Sequence, residues 1–388
     1  MMLERPHNLG ARSICAVIFG VSRSAIQGRK GRIAWRSAQD VCCSREIKRF
    51  PVKRPSKRQI QKFNELGIFQ ADWYAQAYPD VAASGMNAVE HYLTIGARLG
   101  RDPAPGISNR FARAAYGVNN PEHEPFTRLA DLARRDGAAP QPKRNSVLFG
   151  AFQVAQRGQH DLAIKLARQH LPDDLASTAD ILEANAALAR ADEGAWLAAF
   201  NRYLASRSSG PVSLSGEGSV FDRLQARAPE PVTGGPLVSV IMPAWNAEAT
   251  VRKAARSILD QSWQNLELLI VDDASEDGTW AVLQDIAARD GRVKIWRNKV
   301  NVGPYVSKNI ALKHARGAWI TGHDADDYAM PDRLARHIAL SEKNGTRASI
   351  GHMVRLQNDG TFSHLGRVTT FSFDAVARKA SISCLFEG

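Results

Sequence analysis

Three carboxylates occupy four positions at Asp324-Ala325-Asp326-Asp327, straight after a short apolar run, Ala318-Trp-Ile-Thr321, and the pair Gly322-His323. Like charges this close repel, and each resists desolvation unless a cation or hydrogen bonds compensate. A hard divalent cation with oxygen ligands is one ordinary compensation. The other reading is an acidic turn capping a helix that begins near Pro331. His323 reads as a packed strand-end histidine rather than a ligand. A second pair of carboxylates, Asp272-Asp273, closes another apolar run, Leu266 to Val271.

The elements that must position these groups alternate in a regular way. Leu237 to Met242 is β-branched and apolar, as suits a buried strand. Pro243 to Asn246 turns the chain, and Asn246 is an N-cap type for a helix running through Asp260. After the strand ending at Val271, Ser275 to Thr279 opens a helix with Trp280, Leu283, Ile286 and Ala287 at helical spacing. Val293 to Trp296 is a third strand. Gly303-Pro304 starts a third helix, with Gly317 just past its end. Ala318 to Thr321 is the fourth strand. Strand and helix in alternation, with short connections, predict an α/β fold: a parallel sheet covered on both faces. Ligands of such sheets sit outside the carboxyl ends of the strands. Those ends carry Pro243 to Asn246, Asp272-Asp273 and Asp324 to Asp327.

Five stretches occur in order: Val238-Ser-Val-Ile-Met-Pro-Ala-Trp-Asn246; Val271-Asp-Asp-Ala-Ser-Glu-Asp-Gly-Thr279; Asn301-Val-Gly-Pro304 with Lys308-Asn309; Asp324-Ala-Asp-Asp327; and Met330-Pro-Asp-Arg-Leu334. Together they resemble family 2 glycosyltransferases of the GT-A fold, over roughly residues 236–388. The resemblance implies a nucleotide-sugar donor, with UDP the expected carrier, and a glycan acceptor. It implies that Pro243, Ala244, Trp245, Asn246 and the pair Asp272 and Asp273, chiefly its second member, hold the base and ribose. Asp324 and Asp326 match the family's Asp-x-Asp motif. Asp326 would bind Mg²⁺ or Mn²⁺ through the donor diphosphate, and Asp324 the ribose or the metal's water shell. A Lewis acid there meets the charge developing on the departing nucleoside diphosphate. Lys308 stands where many relatives have Arg, and a point-charge ammonium can serve near a phosphate, though it lacks the bidentate fork. Trp245, where Tyr is common, can stack on the base or form a rim aromatic.

Relatives usually continue into an acceptor-binding half that supplies an Asp or Glu base, with inversion by direct displacement. Only 388 − 326 = 62 residues follow Asp326. Asp332 reads as a helix-start residue, and Glu342, Asp359, Asp374 and Glu387 sit in no context recognisable as that base. Ser381 to Phe386 looks like a strand entering the acceptor half. The base is therefore expected beyond Gly388, with the chain a donor half of a longer product.

Ahead of the sheet the chain divides into three parts. Residues 1–60 form a basic tail: they hold 14 Lys and Arg against 3 Asp and Glu, or +11 of the net +12. Its clusters, Arg29 to Arg32, Arg45 to Arg49 and Lys53 to Arg58, show little apolar periodicity. No nucleic-acid module accompanies the charge, so nucleic acid is not the expected partner; weak attraction to anionic lipid is open to such a tail. Ile14 to Val21 is too short to span a bilayer, and a signal peptide is not expected. Residues 61–122 read as short helices between Gly and Pro turns. Their His91-Tyr92…Gly96…Gly100-Arg101 ending resembles a module that accompanies bacterial polysaccharide glycosyltransferases, in which His91 and Tyr92 are packing residues. Residues 123–228 are rich in Ala and Leu and expected to be helical. Stretches at 155–163 and 189–197 superpose at a shift of about 34 residues, the period of tetratricopeptide-like helix pairs, whose concave face suits a protein partner. Ser206 to Gly218 and Pro229 to Gly235 read as linkers, and the sheet domain takes 229–388.

Composition, 44% hydrophobic and 23% charged, fits folded domains with real cores. Cys15, Cys42, Cys43 and Cys384 offer neither metal spacing nor a disulfide framework, which suits a reducing cytoplasm. Three functions follow: metal-dependent glycosyl transfer in surface polysaccharide synthesis, with peripheral contact at the inner membrane face open to the tail; a donor-binding remnant or helical-repeat scaffold; and a nucleotidyltransferase. The last would present a Gly-rich basic loop after the first strand, which this sequence lacks.

Overall fold

The computed structural model describes residues 54–363, apart from 139, 144, 145, 228, 352, 353 and 358, together with the backbone of Cys384–Glu387. Residues 1–53 lie outside the described residues. So do most of the basic tail, the 14–21 run, Cys15, Cys42, Cys43 and Asp374.

In chain order the helices are α1 (Lys57–Asn64), α2 (Ala71–Ala77), α3 (Asp80–Ser84), α4 (Ala88–His91), α5 (Asn109–Tyr116), α6 (Pro125–Asp136), α7 (Val147–Ala155), α8 (His160–His170), α9 (Ala179–Ala189), α10 (Glu193–Ser206), α11 (Val220–Arg223), α12 (Val251–Leu259), α13 (Thr279–Arg289), α14 (Pro304–Leu312) and α15 (Arg333–Asn344). The strands are β1 (Val212–Leu214), β2 (Leu224–Ala226), β3 (Val238–Ala244), β4 (Leu266–Asp272), β5 (Val293–Arg297), β6 (Trp319–Gly322), β7 (Ala348–Ile350), β8 (Arg355–Leu356), β9 (Phe362–Ser363) and β10 (Cys384–Glu387).

The main sheet runs β5-β4-β3-β6-β10-β7. Its first four strands are parallel, and β10 lies antiparallel between β6 and β7. The expected 381–386 run is thus represented by Cys384–Glu387, a strand of this same sheet, while 381–383 lie outside the described residues. Every residue of β3 and β4 is buried, because helices cover both faces. Val238, Val240 and Met242 pack with α12, α13 and α15, whereas Ile241, Leu269 and Val271 meet Ala311 of α14. That is the period-two division a doubly covered sheet requires. The expected strands and helices are all present, with shifted ends. β3 runs on through Pro243 and Ala244, and α14 stops at Leu312, five residues short of Gly317.

Four expectations need correction. Lys57 to Ile60, placed in the tail, begin α1, because Ser56 and Gln59 form a reciprocal capping box. The 206–218 segment, read as a linker, contains β1, which pairs with β2. Val212 is buried there, and the side chain of Asn201 bonds both its N–H and its C=O. The 123–228 region, expected to be helical throughout, is therefore helical as far as Ser206 and beyond it keeps only the short α11 between β1 and β2. Finally, Asn246 does not cap α12, as set out below.

Residues 57–116 close round an aromatic cluster. Phe63 stacks on Tyr92 at 5.1 Å, with Phe69 against both and Tyr74 against Phe69 and Tyr92. His91 and Tyr92 are buried packing residues: His91 meets Tyr74 Oη at 3.2 Å, and Asn109 donates to Tyr92 Oη. A side chain at Gly96 would collide with the Tyr74 hydroxyl, while Arg101 grips both oxygens of Asp80 at 2.9 Å. His91, Tyr92, Gly96 and Arg101 of that ending thus each have a packing reason.

Two helix pairs, α7 with α8 and α9 with α10, share one apolar core. That core is completed from far along the chain. Phe362 on β9 is fully buried in it, stacked on Trp196 at 5.5 Å and 4.8 Å from Phe200.

Candidate functional site

β6 delivers the acidic cluster. Ile241 of β3 pairs with Gly322, and the His323 N–H extends the ladder to Ile241 O at 2.9 Å. His323 is buried, its ring 3.4 Å from Ser257 Oγ and 3.2 Å from Arg333 Nη1. Burial first, then the Arg333 charge, pushes its pKa down to about 3, so the ring is neutral and packed. Beyond it the Asp327 N–H donates to Asp324 O. This turn sinks Ala325 into the core and leaves Asp326 exposed. Asp324 Oδ1 lies 2.8 Å from Lys308 Nζ. Asp327 is pushed up to about 6, by burial and then by the charges of Asp324 and Asp326. The loop thus concentrates negative charge that a bound cation would relieve.

The loop is braced from below. The buried Arg333 donates to Thr321 Oγ1 at 2.7 Å and to Gly322 O at 3.3 Å. Gln261, fully buried, donates to Ser257 O and Met330 O and accepts from the Leu334 N–H. Ser257 Oγ accepts the Ala329 N–H. On the outer side Tyr328 Oη accepts the Ala226 N–H of β2 at 3.1 Å, and Lys253 donates to Asp222 O and Leu224 O at 2.7 Å.

The other two loops are tied to each other. Asn246 has φ +47°, in the left-handed region that Asn tolerates better than most residues. Its N–H donates to Ser275 Oγ, and its Oδ1 accepts the Glu276 N–H at 2.9 Å. The side chain therefore crosses to the loop after β4, while α12 starts after Thr250. Pro243 and Ala244 are buried at the end of β3, and Trp245 stands 49% exposed at the rim. Asp272 is buried, with Arg297 Nε 2.9 Å from one oxygen and Ser275 Oγ hydrogen-bonded to the other. Asp273 accepts the N–H groups of Val302 at 2.9 Å and Gly303 at 2.7 Å, and the Asn298 amide at 2.8 Å. Burial works to raise its pKa, but these donors outweigh it and hold the carboxyl below its ordinary range.

Helix α14 joins the two halves of the site. Its N-terminal Gly303, at φ +89°, bonds Asp273, and one turn on Lys308 pairs with Asp324. The sequence-predicted residues thus gather at one edge of the sheet, Asp272 and Asp273 on one side and Asp324 and Asp326 on the other. Two parts escaped sequence reasoning. Arg333 lay in plain view within Met330-Pro-Asp-Arg-Leu334, where only Asp332 was read; Asp332 does start α15 and lies 3.5 Å from Arg336. The Tyr328 and Lys253 contacts with 222–226 had no local signal at all. Among the described residues no three His, Cys, Asp or Glu side chains form a cation-holding group by themselves, and no helix is long and apolar enough to cross a membrane.

Four parallel strands covered on both faces, with carboxylate-bearing loops at their carboxyl edge, make an α/β fold of the kind the GT-A class of nucleotide-diphospho-sugar folds has. Residues 239–383 match the model of glycosyl transferase family 2, and the curated relatives of this segment are glycosyltransferases. Curated relatives include the putative glycosyltransferase EpsE of Bacillus subtilis, 42% identical over 29% of this chain and 41% of that protein. Another is the UDP-Glc:alpha-D-GlcNAc-diphosphoundecaprenol beta-1,3-glucosyltransferase WfgD of Escherichia coli, 31% identical over 38% of this chain and 58% of that one. The chain spans about half the length of the curated relatives it matches. Among solved structures, S. aureus TarS 1-349 in complex with UDP-GlcNAc is 27% identical, with a TM-score of 0.27 over 29% of this chain and 32% of that one. That score is too low to bear on the assignment, which rests on the family match.

Proposed function

We propose that the family 2 segment binds a nucleotide-sugar at the carboxyl edge of its sheet and transfers the sugar to a glycan acceptor in bacterial surface polysaccharide synthesis. The observation that carries this reading is the Lys308–Asp324 ion pair beside Asp326, which places a cation and two carboxylates at one strand end. Relatives named for succinoglycan and colanic acid biosynthesis support the polysaccharide context. The UDP-glucose in the name of WfgD supports UDP as the carrier.

Asp273, with the loop Pro243 to Asn246, would hold base and ribose, and Trp245 is exposed enough to stack on a base. Asp272 would act through Arg297 and Ser275, fixing the shape of the same loop. Lys308 would offer its ammonium to the diphosphate as a point charge. Asp326, with Asp324, would hold Mg²⁺ or Mn²⁺: the donors are hard oxygens, which suit these ions, and the charge crowding that raises Asp327 favours a cation there. When bound, the metal would neutralise the departing nucleoside diphosphate. Transfer would invert the anomeric centre by direct displacement, the base remaining unassigned. The reaction would run in the cytoplasm, and the α7–α10 pairs would buttress the segment through Phe362.

The test is isothermal titration of the protein with UDP, with Mn²⁺, with chelator, and with Asp326→Ala. Metal-dependent binding that the variant loses is the expected result. No binding of UDP, GDP or dTDP under any condition would sink the donor site and leave a helical scaffold.

A further inference from the structure

The β5–α14 segment carries an unusual surface. Ten large apolar side chains are well exposed among the described residues, and five of them fall between positions 300 and 312: Val300 (64%), Val302 (40%), Tyr305 (64%), Val306 (46%) and Leu312 (44%). Along α14, Ser307 and Ala311 point into the sheet, so Tyr305, Val306, Asn309, Leu312 and Lys313 are left on the outer side. An apolar helix face without a partner is a recognition surface more often than an accident.

Its charge says what it would meet. Residues 291–323 hold seven Lys and Arg and no Asp or Glu, in a chain whose net charge after residue 60 is only +1. Four of the seven are paired: Arg292 with Asp290, Arg297 with Asp272, Lys308 with Asp324 and Arg316 with Glu267. Lys294, Lys299 and Lys313 are exposed and have no ion-pair partner among the described residues. Lys299 adjoins Val300, Lys313 adjoins Leu312, and Lys294 stands on the edge strand β5. Apolar side chains set among unpaired lysines match a surface with an oily interior and anionic headgroups. A symmetric contact with a second copy would instead bring the same lysines towards one another.

We propose that the outer face of the 299–303 loop and α14 docks on an anionic lipid surface, with Val300, Tyr305, Val306 and Leu312 entering the interface and Lys294, Lys299 and Lys313 meeting headgroups. Val302 and Gly303 of that loop bond Asp273, so docking brings the mouth of the candidate site to the lipid. The proposal stands independently of the donor and acceptor.

The test is co-sedimentation of the full chain with vesicles of phosphatidylcholine alone and of phosphatidylcholine mixed equally with phosphatidylglycerol. The wild-type protein should bind the anionic vesicles selectively. Lys299→Gln with Lys313→Gln should lower the affinity about fivefold per lysine at low salt. Tyr305→Ser with Leu312→Ser should weaken binding even where charge is unchanged. Each variant keeps the basic 1–53 segment, so undiminished binding by both would assign any vesicle affinity to that tail and overturn the proposal. A wild-type dimer in sedimentation velocity that the Tyr305→Ser, Leu312→Ser variant dissolves would overturn it in favour of self-association. Retained far-ultraviolet dichroism and melting temperature exclude misfolding as the cause of a loss.

Discussion

Phe362 lies face to face with Trp196, ring planes 2° apart and centroids 5.5 Å apart, across 362 − 196 = 166 residues of chain. The contact is framed by polar bonds. Trp196 Nε1 donates to Gly360 O, and the Asn185 side chain bonds both the N–H and the C=O of Phe362. A hairpin that lies between β7 and β10 of the main sheet, within the segment that matches family 2, thus supplies a core residue to the preceding helix pairs. Truncation there should be felt as a large cavity: Phe362→Ala is expected to cost about 3–5 kcal/mol, read by urea unfolding. The loss should appear in a single transition. Two separate transitions in the wild type, only one of them shifted, would show that the helix pairs fold on their own.

Much of the sheet was legible in the sequence, because fully buried strands leave apolar runs such as Leu266 to Val271 that need no partner to be recognised. The carboxylates were legible for the opposite reason, since three acids in four positions conflict with their apolar surroundings unless they have a task. The Phe362 contact was not. It rests on a two-residue strand in a polar hairpin, and the aromatic partner has no periodic relation to it. The β1 strand was hidden likewise among Ser and Gly, its pairing settled by the distant Asn201 side chain.

Asn246 shows how a correct residue type can carry the wrong geometry. Asn is favoured both as a helix N-cap and at left-handed φ, and here the second use wins. Asn246→Ala should lose the bond to the Glu276 N–H and add backbone strain, about 1–3 kcal/mol together. Asn246→Gly should recover the strain part alone. If both variants are equally destabilised in thermal melts, φ +47° carries no cost and the hydrogen bond accounts for the whole effect.

Lys308 gives a prediction specific to nucleotide binding. Its ammonium pairs with Asp324 on a half-buried surface, where the pair itself adds little to stability. Lys308→Ala should therefore leave the melting temperature nearly unchanged. Affinity for UDP with Mn²⁺ should fall by roughly ten- to a hundredfold, the scale of one hydrogen bond to a charged group. Lys308→Arg should restore most of it. Equal UDP affinity in Lys308→Ala and wild type would remove Lys308 from the donor site.

The buried His337 makes stability depend on pH. Its Nδ1 lies 2.7 Å from Ser349 Oγ, and burial, with Arg333 and Arg336 nearby, pushes its pKa from 6.5 down to about 4. The folded-state value lies below the unfolded one, so between pH 6.5 and 4 the unfolded chain binds the extra proton. This contribution is present in full above pH 6.5 and is lost as the pH falls through that window towards 4. At pH 5 the loss should be about 2 kcal/mol. Urea unfolding of the wild type and of His337→Gln at pH 7.5 and pH 5 measures it as a difference of differences. Other groups that titrate in the window, including His323 and Asp327, are common to both proteins and cancel. The variant should be the less stable at pH 7.5, having lost a fitted ring, and the gap should narrow by about 2 kcal/mol at pH 5. A gap that stays constant would mean that His337 takes up its proton without leaving the fold.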